Sequence, residues 1–207
     1  MSKTQQNHRI HPFTLVLAGA IGVIVLAVAG AYVALSAGML PANADTDPPA
    51  IERWAARTSL GATIDREAPS LVDPLQADEA TLSAGEKLYA ANCVACHGAS
   101  DGKPSDIARG LYQHAPQLGG RGVEEDPEGE TYWKIAHGIR FTGMPAFDRT
   151  LTQTQLWQLA TFLKHMDSLP PNVAAAWKKI PSQLDPAAPP LPKFGPPGRG
   201  GPGGPPR

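Results

Sequence analysis

Hydrophobic positions along the chain fall first into one unbroken block and then into short periodic stretches. Residues 13–40 (FTLVLAGAIGVIVLAVAGAYVALSAGML) are almost wholly apolar, and no residue between Arg9 and Asp45 is charged at neutral pH. At about 1.5 Å per residue a helix of that length more than spans a hydrocarbon core of about 30 Å, so the block predicts a transmembrane helix. Ala42-Asn43-Ala44 has the form of a signal-cleavage site. A signal core usually runs to only about 7–15 residues, however, which favours a retained anchor at 13–40 behind a short N-terminus, 1–12.

Beyond the block the spacing turns helical. Ile51, Trp54, Ala55 and Thr58 predict a short helix near 51–60, stopped at Gly61, within a proline-broken linker over 41–80. Ser83-Ala84-Gly85-Glu86 has the form of a capping box, and Leu82, Leu88 and Tyr89 form an apolar stripe, which predicts a helix over 84–92. ETYWKIAH predicts a second helix over 130–137, with Asp126 and Glu128 placed where its positive end favours acids. Thr152-Gln153-Thr154-Gln155 is a further capping box, followed by one wide apolar face of Leu156, Trp157, Leu159, Ala160, Phe162 and Leu163. A helical trailer around Trp177 (170–184) and a tail over 185–207 complete the chain. The tail holds nine prolines and six glycines in 23 residues, too little apolar surface to offset ordering, and reads as disordered. No strand pattern is required, and the fold class is all-α.

Composition adds two constraints. Eighteen basic against 19 acidic residues leave a net charge of −1, which gives no basis for nucleic acid as a partner. The charge is nevertheless segregated. Two bases and no acids precede residue 45, residues 45–130 carry 16 acids against 7 bases, and residues 131–207 carry 3 acids against 9 bases. Lys3 and Arg9 before the apolar block put the N-terminus in the cytoplasm by the positive-inside rule, and the rest of the chain outside. Aromatics make up 6% of the residues, few for building a protein-only core.

The only two cysteines stand in Cys93-Val94-Ala95-Cys96-His97. Cys-x-x-Cys-His is the attachment pattern of a c-type haem: two thiols three residues apart can each form a thioether to a vinyl group, and the adjoining histidine can reach the iron. A redox dithiol would expect a βαβ setting, and a zinc site would need further ligands from His114, His137 or His165. The helical flanks and the absence of other cysteines favour haem. A low-spin carrier then needs a sixth ligand. Met144, between Gly143 and Pro145, is kept out of a regular helix and is the leading candidate, ahead of Met166 and His137. Trp133 and Arg140 are weaker candidates for contact with a haem propionate.

With these motifs in order, residues 81–169 resemble a class I cytochrome c domain of the kind found in membrane-anchored bacterial monohaem cytochromes. The resemblance rests on Cys93 to His97, on Ala115-Pro116-Gln117-Leu118-Gly119 and on Gly143-Met144-Pro145. It implies a bundle of short helices around one covalent haem c, with Cys93 and Cys96 as thioether partners and His97 and Met144 as axial ligands. It also implies that the carbonyl of Pro116 orients His97, and that the last helix crosses the first so that Leu88 and Tyr89 meet its apolar face. The family usually has glycine where Ala115 stands, and here the second glycine falls at Gly119. The expected role is electron transfer, not enzyme catalysis, on the periplasmic side of the inner membrane. Partners would be a dehydrogenase, a quinol-oxidising complex or a terminal oxidase. The alternatives are a haem subunit of a larger complex and a gas-sensing or catalytic haem protein with a labile methionine.

Overall fold

The computed structural model describes residues 12–68, 71–119 and 123–181. The chain divides into two units, Met1–Asn43 and Ala44–Arg207. Among the described residues of the first, 12–43, the regular element is helix α1, Pro12–Ser36, none of whose 25 residues is buried. It is long and apolar enough to cross a membrane. It stops four residues before the end of the apolar block because Gly38 takes a left-handed φ of 66°. Met39 N–H then reaches back to Ala34 O (2.9 Å) and Gly38 N–H to Leu35 O (3.1 Å), a Schellman cap that outweighs the apolarity of the next few residues.

Every described regular element of the second unit is helical: α2 (Ala50–Glu67), α3 (Glu79–Asn92), α4 (Val94–His97), α5 (Asp106–Arg109), α6 (Glu128–His137), α7 (Gln153–Lys164) and α8 (Pro171–Trp177), with a 3-10 turn at Phe147–Arg149. The expected tail, 185–207, lies outside the described residues, as does the trailer beyond 181.

Helices α2 and α3 also begin or end where the spacing did not place them, and α6 begins at Glu128, two residues before the expected start. The linker helix α2 runs straight through Gly61 to Glu67. An interior glycine costs only about 1 kcal/mol, and the turn beyond it is held by burial of Ile64 and Ala68 against Trp133. Ile51 and Trp54, whose spacing suggested the helix, are in fact exposed. Helix α3 starts at Glu79 and not near Ala84, because Asp78 is its cap: the carboxylate accepts from Thr81 N–H at 2.8 Å. Leu82 is thereby helical and buried. At α7 the box is as read, with Thr152 and Gln155 bonding reciprocally.

The core is the crossing of α3 and α7, closed by α8. A Cβ on Gly85 would clash with the carbonyl of Gln158 and come 2.5 Å from Phe162 Cβ, so only glycine lets the two helices approach this closely. Tyr89, Phe162 and Trp177 form an aromatic triangle with ring centroids 5.9, 5.1 and 5.6 Å apart, two of the pairs edge-on. Leu88 packs at the margin of the same cluster. On its other side α7 meets α6 through Tyr132 stacked on Trp157 at 4.1 Å.

Candidate functional site

Helix α3 delivers the chain to the cysteine motif without a break. Cys93 N–H still bonds Tyr89 O (2.8 Å), and after Cys93 a single turn, α4, forms with His97 N–H on Cys93 O at 2.8 Å. Cys93 and Cys96 are thus one turn apart, both free thiols and both partly buried. Val94 is buried in the core, which fixes the turn from within. The Tyr89 hydroxyl, at the tip of the aromatic triangle, lies 2.8 Å from Gly98 O and 3.1 Å from His97 O. Burial pushes the Cys93 thiol up to about 12, with Cys96 adding to the rise. A redox-active dithiol requires the opposite shift.

His97 sits with Nδ1 2.9 Å from Pro116 O. A carbonyl only accepts, so Nδ1 carries the proton and Nε2 keeps a free lone pair. Burial draws the His97 pKa below the usual imidazole range, with the Pro116 contact opposing, so the neutral form is favoured. The segment holding Pro116 is itself pinned to the motif: Leu118 N–H donates to His97 O (3.0 Å), and Gln117 Nε2 to Cys96 O (3.1 Å). Gly119 abuts the carbonyl of Ala99 so closely that a Cβ would collide with it, which accounts for a glycine at this register.

Met144 occupies a separate loop. Helix α6 ends at Gly138, whose φ of 64° turns the chain back on itself, and a Cβ there would stand 2.6 Å from Met144 O. Ile139 N–H donates to Met144 O (3.2 Å), and Met144 N–H to Thr142 Oγ1 (3.1 Å). Met144 packs partly buried against the main core. Within the loop Phe141 combines a φ of 60° with 91% exposure. The remaining candidates have other surroundings. His137 is exposed and lies against the Trp133 ring (5.1 Å), Met166 packs on the core, and Arg140 is exposed. The Trp133 indole donates to Glu67 Oε2 at 3.1 Å, so its N–H is already engaged.

Three side chains around the motif were not singled out from the sequence as parts of the site. Tyr89 was read only as part of the apolar stripe, yet its hydroxyl ties the core to the motif turn, and a polar-tipped aromatic on such a stripe is a usable signal. Gln117 clamps Cys96, and Leu111 lies against Gly143, whose added Cβ would come 2.8 Å from Leu111 Cδ2. Neither has a sequence signature.

Residues 80–163 match the family model described as cytochrome C oxidase, cbb3-type, subunit III. This stretch is a class I c-type cytochrome domain. Neither the curated proteins nor the solved structures gave a match to the chain. A cytochrome c domain binds haem c, and its activity is haem-based electron transfer with redox partner proteins. The residues fit that group: two thiols one turn apart, a partly buried imidazole whose Nδ1–H is engaged by Pro116, and a thioether on a separate loop that packs on the same core. A zinc site fits less well, since among the described residues no group of three or more His, Cys, Asp or Glu side chains is placed to hold a metal ion.

Proposed function

We propose that the domain is a one-electron relay in which Cys93 and Cys96 hold the haem covalently, His97 and Met144 are its axial ligands and Pro116 orients His97. The observation that carries this reading is the Nδ1 contact of His97 with Pro116 O at 2.9 Å, which fixes the tautomer a ligand needs. When bound, the haem supplies a ferric/ferrous couple, and thioether ligation favours the ferrous form relative to a second imidazole. His97 and Met144 both being committed, no position is left for substrate or oxygen, and the domain transfers electrons without catalysing bond chemistry. The cytochrome loops keep their geometry through turnover because each ligand is held by its own backbone hydrogen bonds.

The helix Pro12–Ser36, preceded by Lys3 and Arg9 and followed by an acidic stretch, supports a single-pass inner-membrane anchor with the cytochrome domain on the periplasmic side. The electron donor would then be a membrane quinol-oxidising complex or a dehydrogenase, and the acceptor a terminal oxidase. The matched family model is that of an oxidase subunit, which favours a second arrangement in which the chain is a fixed haem subunit of such a complex. Native size analysis after detergent extraction separates the two: a free relay runs near its 21.8 kDa chain plus haem and detergent, and a subunit runs well above it.

Met144→Ala tests the ligand set. The expected result is loss of the low-spin methionine-ligated spectrum, a lowered reduction potential and carbon monoxide binding to the reduced form. An unchanged spectrum and potential would show that Met144 is not the sixth ligand.

A further inference from the structure

The segment 111–118 touches both proposed axial ligands or their neighbours. At its start Leu111 lies against Gly143, one residue before Met144, and near its end Pro116 O receives the His97 proton. Its middle is held by residues that precede the matched cytochrome stretch. Tyr112 donates its hydroxyl to Glu52 Oε2 at 2.8 Å, Gln113 donates Nε2 to Glu52 Oε1 at 3.1 Å, and His114 Nε2 lies 3.2 Å from Asp47 Oδ1. One carboxylate therefore engages two consecutive side chains, with a further contact at the third.

Isolated exposed polar contacts contribute little, because two long side chains must be ordered for each. Glu52 differs in that its backbone is already fixed. It lies in the first turn of α2, where Arg53 Nη1 donates to the carbonyl of the buried Pro48 at 2.9 Å. The other end of the same helix is fastened to α6 by the buried Ile64 and by Trp133 Nε1 on Glu67 at 3.1 Å. A helix anchored to α6 at its far end, with its first turn closed onto the preceding Pro48, presents its carboxylate to 112–113 with little ordering left to do.

We infer that α2 braces the segment linking the two axial positions, and that Glu52 is the positioning residue through which it acts. The inference rests on the axial ligation proposed above. Releasing Glu52 frees Tyr112 and Gln113, loosens Leu111 from Gly143 and eases departure of Met144 from the iron, while the core crossing of α3 and α7 is untouched.

The test uses the full-length haem-loaded chain in detergent and reads displacement of the methionine by added imidazole in the ferric state. Glu52→Ala is expected to raise the apparent imidazole affinity about fivefold, the scale of one typical net hydrogen bond. Glu52→Gln, which keeps one acceptor oxygen, recovers part of the wild-type value. Tyr112→Phe shifts the affinity in the same direction, and combining it with Glu52→Ala adds little. Wild-type imidazole affinity in both single variants, or fully additive effects, would overturn the brace even if the denaturation midpoint moves. A wild-type ferric spectrum without methionine ligation would instead overturn the ligand assignment and the brace with it, a result distinguishable before any variant is made.

Discussion

The hydroxyl of Tyr89 lies 2.8 Å from the carbonyl oxygen of Gly98, nine residues further along the chain and just past the motif histidine. The same ring stands edge-on to Trp177. One side chain thus joins the hydrophobic core to the turn that presents Cys93, Cys96 and His97.

Tyr89→Phe keeps the ring packing but leaves the Gly98 and His97 carbonyls without this donor in a buried setting. The expected cost is about 1–3 kcal/mol, from an acceptor left unsatisfied. Denaturant unfolding of the haem-loaded protein should show a lowered midpoint with an unchanged slope.

Gly85→Ala inserts a methyl into the tightest point of the α3/α7 crossing, against the Gln158 backbone and Phe162 Cβ. Overpacking at a backbone contact costs about 1–3 kcal/mol, so the variant should lose stability although alanine is the better helix former. A thermal melt at or above the wild-type midpoint would contradict the crossing as described.

Phe141 shows the reverse situation, since its side chain is 91% exposed and its φ is 60°. A non-glycine residue there costs roughly 1–2 kcal/mol, and glycine returns part of this as unfolded-chain entropy. Phe141→Gly is expected to stabilise the domain by about 0.5–1 kcal/mol in denaturant unfolding.

Burial raises the pKa of Glu86, with Lys87 opposing. The folded state then holds this proton to higher pH than the unfolded chain. The contribution of Glu86 to stability is therefore greatest below the ordinary carboxylate pKa, near 4.5, and declines as pH rises through the raised value. Glu86→Gln should remove that decline, so the variant gains on wild type at pH 7 relative to pH 4 in paired denaturation curves.

What could be read from the sequence was what is local. The cap at Thr152 and Gln155, the apolar face of α7 and the cysteine motif each depend on residues within a few positions of one another, and the all-helical class follows from them. The errors came where a distant partner decides. Gly61 did not end α2 because Ile64 has Trp133 to pack on, and the exposed Ile51 and Trp54 show that periodicity can mark the wrong face. The same reason hid Leu111 beside Gly143 and Glu52 beneath Tyr112, contacts that join parts of the chain about 30 and 60 residues apart.

The third member of the aromatic triangle, Trp177, stands 14 residues beyond the end of the stretch that matches the cytochrome family. Edge-on to both Tyr89 and Phe162, it seals the side of the α3/α7 pair that a chain ending at residue 163 would leave open to water. The stretch that matches the family model and the packed core of this protein therefore have different ends, and the short helix α8 marks the distance between them.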